Sequence, residues 1–158
     1  MPYESLLQGR VSIPGHCYSV TTTTAHRDPM FTDLSAARTV INAIRTLDNA
    51  RHSQTLALVV MPDHVHWLFR LGLFLSLSEV VRRFKGRCAR ELGASMGASS
   101  LWQCGFHDHA LRTGESLAQA ARYIIQNPVR AGIVTSIGDY PFWHSAWNID
   151  DDSSLMMD

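Results

Sequence analysis

The order of apolar patterns along this 158-residue chain predicts an α+β fold: a ferredoxin-like β-α-β-β-α-β antiparallel sheet with an additional C-terminal helix that carries Tyr123. Three observations carry that expectation. Two strand patterns are separated only by Pro62-Asp63, a turn signal. Two stretches of helical periodicity, each opened by a capping residue, flank that pair. A further strand pattern precedes the first helix and another follows the second.

Cys17 to Thr23, rich in Thr, Val and Tyr, reads as the first strand. From Leu34 to about Ala50, Leu34, Ala37, Val40, Ile41, Ile44 and Leu47 recur at helical spacing, with Thr32 or Asp33 as the cap. Thr55 to Met61 is the second strand and His64 to Leu71 the third. Ser76 and Glu79 match a capping box, and the helix they open places Leu77, Val80, Val81, Phe84 and Cys88 on one face. Gly93 to Ser100 reads as a flexible insert. Leu101 to Phe106 reads as a fourth strand that could run on through Arg112. A third helix spans Ser116 to Gln126 on a stripe of Leu117, Ala121 and Ile124. Pro128 is expected to end it, because the residue before proline resists helical angles.

Composition sets the outer bounds. Residues 1–149 read as one domain, with 46% of the chain hydrophobic and 18% charged. No apolar run reaches the length of a membrane span, and no secretory signal opens the sequence. Cys17, Cys88 and Cys104 form no close pair, so free buried thiols and a cytoplasmic setting are expected. Formal net charge is zero, but four of the fourteen acids, Asp150, Asp151, Asp152 and Asp158, lie in the last nine residues. That segment, 150–158, reads as a disordered acidic tail. Between Arg82 and Arg90 stand five basic residues and no acid, a stripe that suits a nucleic-acid backbone.

Met61-Pro62-Asp63-His64-Val65-His66 carries the chemistry. Side chains alternate along a strand, so His64 and His66 share one face while Val65, Trp67 and Phe69 take the other. Two such imidazoles can give two ligands to one divalent metal. Asn127 offers an amide oxygen to complete the set, and Asp63 a carboxylate. Tyr123 falls off the buried stripe and lies one helical turn from Asn127. A phenol with a pKa of about 10 is a poor nucleophile, but a metal that polarises the phosphate makes its attack feasible. Plain packing of Tyr123 against the sheet would explain it equally well. His107 and His109 form a rival pair, more simply read as polar strand-end residues with Arg112. Trp102, Phe142, Trp143 and Trp147 read as core or lid aromatics.

Several stretches occur in a telling order. They are Val59 to His66, Phe84-Lys85-Gly86, Leu101-Trp102-Gln103, Phe106-His107-Asp108-His109, and Tyr123 through Asn127-Pro128-Val129-Arg130 to Gly132. Together they resemble the IS200-like tyrosine transposases, HUH nucleases with one tyrosine, and within them the REP-associated branch. The resemblance runs from about Gly15 to Trp147. It implies a single-stranded DNA endonuclease and strand transferase that uses Mg²⁺ or Mn²⁺ near DNA hairpins. By position, His64 and His66 would be metal ligands with Asn127 as the third, and Tyr123 the nucleophile that forms a 5′-phosphotyrosine link. Asp63 stands where the family often has Asn. Arg82, Arg83, Lys85 and Arg87, with Arg130, are the DNA-binding candidates. The resemblance leaves monomer and homodimer both open, and it implies a bacterial, nucleoid-associated setting. Two other readings remain. A non-catalytic, domesticated hairpin binder would bind DNA without metal. A zinc hydrolase would join His109 to His64 and His66.

Overall fold

The computed structural model describes residues 12–93, 101–112 and 114–147. Five strands form one antiparallel sheet in the order β4-β1-β3-β2-β5. They are β1 (Cys17–Thr23), β2 (Ser53–Val60), β3 (His64–Leu71), β4 (His107–Ala110) and β5 (Trp143–Ser145). The first four give the expected β-α-β-β-α-β arrangement. Helix α1 (Leu34–Asn49) follows β1 and helix α2 (Leu77–Leu92) follows β3. Asp33 settles the choice of cap for α1, its carboxylate accepting from the Ala36 amide at 2.7 Å. Ser76 caps α2 in the same way through Glu79.

Both helices pack on one face of the sheet. Val20, Trp67, Phe69 and Leu71 meet Val40, Ile44, Val80, Val81 and Phe84 there. The other face takes helix α3 (Leu117–Ile125), which seats Ala121, Ile124 and Ile125 on Ala57, Val59 and Leu68. A strand covered on both sides should read as continuously apolar rather than alternating. Leu56 to Met61 is such a run, buried throughout. A register shift between Thr55 and Ala57 turns Thr55 toward the α1/α2 face, where its hydroxyl accepts from Trp67 Nε1 at 2.9 Å.

The structure corrects three expectations. The fourth strand lies later than predicted, at His107–Ala110. Leu101, Trp102 and Phe106 are instead plugs in the α1/α2 core, which is why they looked like strand residues. Trp102 sits tilted between Phe31 and Phe84 and donates Nε1 to the Lys85 carbonyl, and Gly105 with φ of 75° turns the chain. Pro128 does not end helical structure. Helix α3 stops at Ile125, one residue before the expected end at Gln126, and a short turn α4 (Asn127–Arg130) restarts with Pro128 in its first turn, where a missing N–H costs nothing. Strand β5, paired with β2 through Val59 and Trp143, was not anticipated. Cys17 and Cys88 are buried free thiols, but Cys104 is exposed. Gly93 caps α2, while residues 94–100 of the expected insert and the acidic tail lie outside the described residues. Among the described residues, no helix is long and apolar enough to cross a membrane.

Candidate active site

Strand β3 brings His64 and His66 to the α3 face, with ring centroids 4.8 Å apart and ring planes at 86°. Each ring is pinned by its Nδ1. The His64 Nδ1–H donates to Asp63 Oδ1 at 2.6 Å. His66 Nδ1 shares a 3.0 Å hydrogen bond with the hydroxyl of Thr21, its cross-strand partner on β1. Neither Nε2 has a protein partner among the described residues. Rings held at Nδ1 with Nε2 bare are what a pair of metal-binding imidazoles requires.

The surroundings also set the protonation state. Burial, with smaller contributions from the charges of His64 and Arg130, pushes the His66 pKa down to about 4. The ring is therefore neutral near pH 7 and its lone pair available. Asp63 is not a free carboxylate ligand. Its second oxygen accepts from Arg27 Nε at 3.1 Å. Burial works against the Asp63 charge, but the hydrogen bonds and charges of His64 and Arg27 outweigh it and hold its pKa below the usual carboxylate value. Thr24 fixes the same turn, its amide and hydroxyl both donating to the Asp63 carbonyl, at 2.9 and 3.0 Å.

Asn127 is oriented by its neighbour. In a continuous helix the amide of residue 128 would donate to the carbonyl of Ile124, but Pro128 has no N–H. The Asn127 side chain replaces it, Nδ2 donating to Ile124 O at 3.1 Å. The amide nitrogen is thereby occupied, and Oδ1 is the atom left over for a ligand.

Tyr123 is 67% exposed and so does not serve as packing against the sheet. Arg130 stacks over it, with Cζ 3.9 Å from the ring centroid. The charge of Arg130 also reaches His66. One guanidinium thus packs on the phenol while its field reaches His66, and α3 lies on the face of the sheet that carries the imidazole pair. An open cavity of about 610 Å³ runs along the outer side of α3, lined by Gln119, Tyr123, Gln126 and Arg130 among others.

The rival metal site does not form. His109 Nε2 pairs with Glu115 at 3.1 Å, and no group of three or more His, Cys, Asp or Glu side chains among the described residues is arranged to hold a metal ion. That also removes the His64/His66/His109 zinc reading. The basic stripe of α2 lies on the other side of the sheet. Arg82 pairs with both oxygens of Glu79, and Arg87 lies 3.3 Å from Glu91. Lys85 is turned inward, its ammonium donating to the carbonyls of Gln103 and Gly105 at 2.7 and 2.9 Å. It is set apart from the DNA-binding candidates, whereas Arg82, Arg83, Arg87 and Arg130 stay at the surface. Thr21 and Arg27 were not singled out in the sequence. Alternation along β1 could have found Thr21, but no local pattern marks Arg27.

The chain matches the family described as "Transposase IS200 like" over residues 12–127, a span that holds both histidines, Tyr123 and Asn127. It is 28% identical over 106 residues to the REP-associated tyrosine transposase of Escherichia coli (strain K12), across 64% of this chain and 59% of that protein. It is 27% identical over 100 residues to a putative REP-associated tyrosine transposase of Haemophilus influenzae, across 56% of this chain and 57% of the relative. The chain thus spans under two thirds of the length of these curated relatives. Among solved structures it resembles a REP-associated tyrosine transposase bound to a REP hairpin. The TM-score is 0.73 and the identity 26%, over 92% of this chain and 85% of that one. A putative transposase from Deinococcus radiodurans shares the fold at a TM-score of 0.54 and 23% identity, over 74% of this chain and 94% of the other.

Proposed function

Because the chain belongs to the IS200-like transposase family, we propose that it is a metal-dependent endonuclease and strand transferase of single-stranded DNA, cutting and rejoining beside short REP-like hairpins through a 5′-phosphotyrosine intermediate. The observation that supports this most is the pair of imidazoles pinned at Nδ1 with both Nε2 atoms bare, on the sheet face that carries the tyrosine helix.

The donor set fits a divalent ion such as Mg²⁺ or Mn²⁺: two imidazole nitrogens from His64 and His66 and one amide oxygen from Asn127. Bound there, the ion would supply Lewis-acid polarisation of a phosphate oxygen. Tyr123 Oη attacks the phosphorus, forming the P–Oη bond as the P–O3′ bond breaks. The phenolic proton leaves to solvent, and the departing strand end takes one up as a 3′-hydroxyl. Arg130, stacked on the ring, stabilises the charge that builds on the phosphate. In the reverse direction a 3′-hydroxyl attacks the phosphotyrosine and frees Tyr123. The phosphodiester energy is kept in the P–Oη bond, so no nucleotide is consumed. Tyr123 serves the imidazoles of its own chain, on whose sheet α3 packs. Arg82, Arg83 and Arg87 contact the DNA backbone, and the setting is cytoplasmic, at the nucleoid.

The test uses a labelled single-stranded oligonucleotide with a hairpin, incubated with Mn²⁺. Wild type should give a protein–DNA adduct that survives denaturant, and Tyr123→Phe should give none. Equal adduct from both removes the nucleophile. No adduct from wild type, with hairpin binding indifferent to chelator and to His64→Ala, selects the non-catalytic hairpin binder instead.

A further inference from the structure

The sheet face that carries His64 and His66 is covered unevenly. Helix α3 lies mainly over β2, β3 and β5. Beyond β3 on the other side come β1 and the edge strand β4. Residues directly opposite in an antiparallel pair share a face. Val59, His66, Thr21 and His107 are successive partners across β2, β3, β1 and β4, so they form one row. The row begins with Val59, packed under α3, and ends at the open edge with His107, which is exposed. The His107 ring has neither a hydrogen bond nor an ion pair among the described residues.

Phosphoryl transfer gives that ring a place in the reaction. The attacking and leaving oxygens lie roughly in line, on opposite sides of phosphorus. A phosphate held at His66 and attacked from α3 therefore sends its 3′-oxygen the other way, over β1 and β4. Two strand spacings put the His107 backbone about 10 Å from that of His66, with both rings rising from the same face and room for a phosphodiester between them. The other polar groups there are committed. The Thr21 hydroxyl is bonded to His66, and the His109 ring to Glu115. A guanidinium such as that of Arg130 does not give up its proton, whereas an imidazole gives and takes protons near neutral pH.

We propose that His107 is a further catalytic residue, the general acid that protonates the departing 3′-oxygen. This rests on the strand-cleaving reading above and supplies the proton that the 3′-hydroxyl takes up. As the P–O3′ bond breaks, its electron pair stays on O3′ and accepts the proton of the His107 imidazolium, leaving a 3′-hydroxyl and a neutral ring. In rejoining, the neutral ring takes that proton back as the 3′-oxygen attacks the phosphotyrosine and the Tyr123 phenolate departs.

The experiment times single-turnover adduct formation with Mn²⁺ on two hairpin oligonucleotides. One is ordinary, and the other carries sulfur in place of the bridging 3′-oxygen at the phosphate that wild type cuts. A thiolate leaves without help from an acid, since a thiol has a pKa of about 8.5. His107→Gln and His107→Ala should each form adduct about 100-fold more slowly than wild type on the ordinary strand and at the wild-type rate on the sulfur-bridged one. Wild-type rates in the variants on the ordinary strand overturn the proposal. So does a loss of equal size on both strands, which is how a phosphate-binding or purely structural residue behaves. A slow His107→Ala beside a fully active His107→Gln also overturns it, because glutamine keeps a hydrogen bond but has no proton to give. Should a thermal melt show His107→Ala unfolded, His107→Gln carries the comparison. Absence of adduct from wild type on either strand sinks the nuclease reading and His107 with it, whereas normal adduct from wild type and variants alike sinks His107 alone.

Discussion

The two faces of the sheet are built for different purposes. On the α1/α2 face, Trp67 stacks on Phe69 at 4.0 Å and leans on Phe84 at 5.4 Å, and Trp102 closes the row against Phe31. All five rings are buried, and the Trp67 N–H is satisfied by Thr55. The α3 face is thinner, since a nine-residue helix buries Ala121, Ile124 and Ile125 against it and leaves Leu117 and Ala120 half-buried. Thr21, His64 and His66 are left half-buried at its edge, with Tyr123 and Arg130 exposed beside them. One face of β3 thus fixes the strand so firmly that the other can hold two polar rings at a set spacing. Half-burial is useful there: it strips water from the imidazoles while leaving their Nε2 atoms reachable.

That contrast can be broken from either side. The largest effect should come from Trp67→Ala, which deletes the centre of the aromatic row and costs about 3–5 kcal/mol of stability, read from the urea midpoint. A loss below about 1 kcal/mol would mean that the row is not the main support of the sheet.

Next comes the acid limb of the metal-free protein. His66 has a folded pKa of about 4 against 6.5 in the unfolded chain, so the unfolded state takes up its proton first. Stability is full above pH 6.5 and falls as pH drops toward 4, by on the order of 3 kcal/mol. His66→Gln should flatten that decline in urea titrations taken at successive pH values. An unchanged decline would show that the ring is not shielded as described.

Smaller again is Asp63→Ala, which frees the His64 ring without disturbing the core. Mn²⁺ affinity, measured calorimetrically, should drop about 10- to 100-fold with little change in melting temperature. The smallest effect expected is that of Pro128→Ala. The new N–H competes for the Ile124 carbonyl, loosens Asn127 and lowers Mn²⁺ affinity by less than about tenfold, the low end of that range. An affinity equal to wild type would show that the amide is oriented by something else.

How much of this was legible in the sequence depended on how local the cause was. Caps, strand alternation and the His64/His66 face follow from neighbours a few residues away, and all stand in the structure. The third helix was found for the same reason, through Ser116 and the stripe that includes Ala121 and Ile124. What escaped depends on long-range packing. Trp102 and Phe106 carry strand-like chemistry but are drawn into the core by Phe31, Phe84 and the Lys85 carbonyl. Arg27 reaches Asp63 across 36 residues, from a turn in which His26 and Arg27 both adopt positive φ. Lys85 looked like its basic neighbours until the carbonyls of Gln103 and Gly105 came to meet it. Three residues of β5 are too short a pattern to stand out.

The substitution of a side-chain amide for a missing proline N–H has one further effect. An aspartate at position 127 would set oxygen against oxygen at the Ile124 carbonyl, so this position favours an uncharged donor. With the imidazoles of His64 and His66 it would form a donor set that contains no carboxylate. The carboxylate of Asp63 stands behind His64, at Nδ1, and is shared with Arg27, so it would draw less from a doubly charged guest than a directly bound carboxylate would.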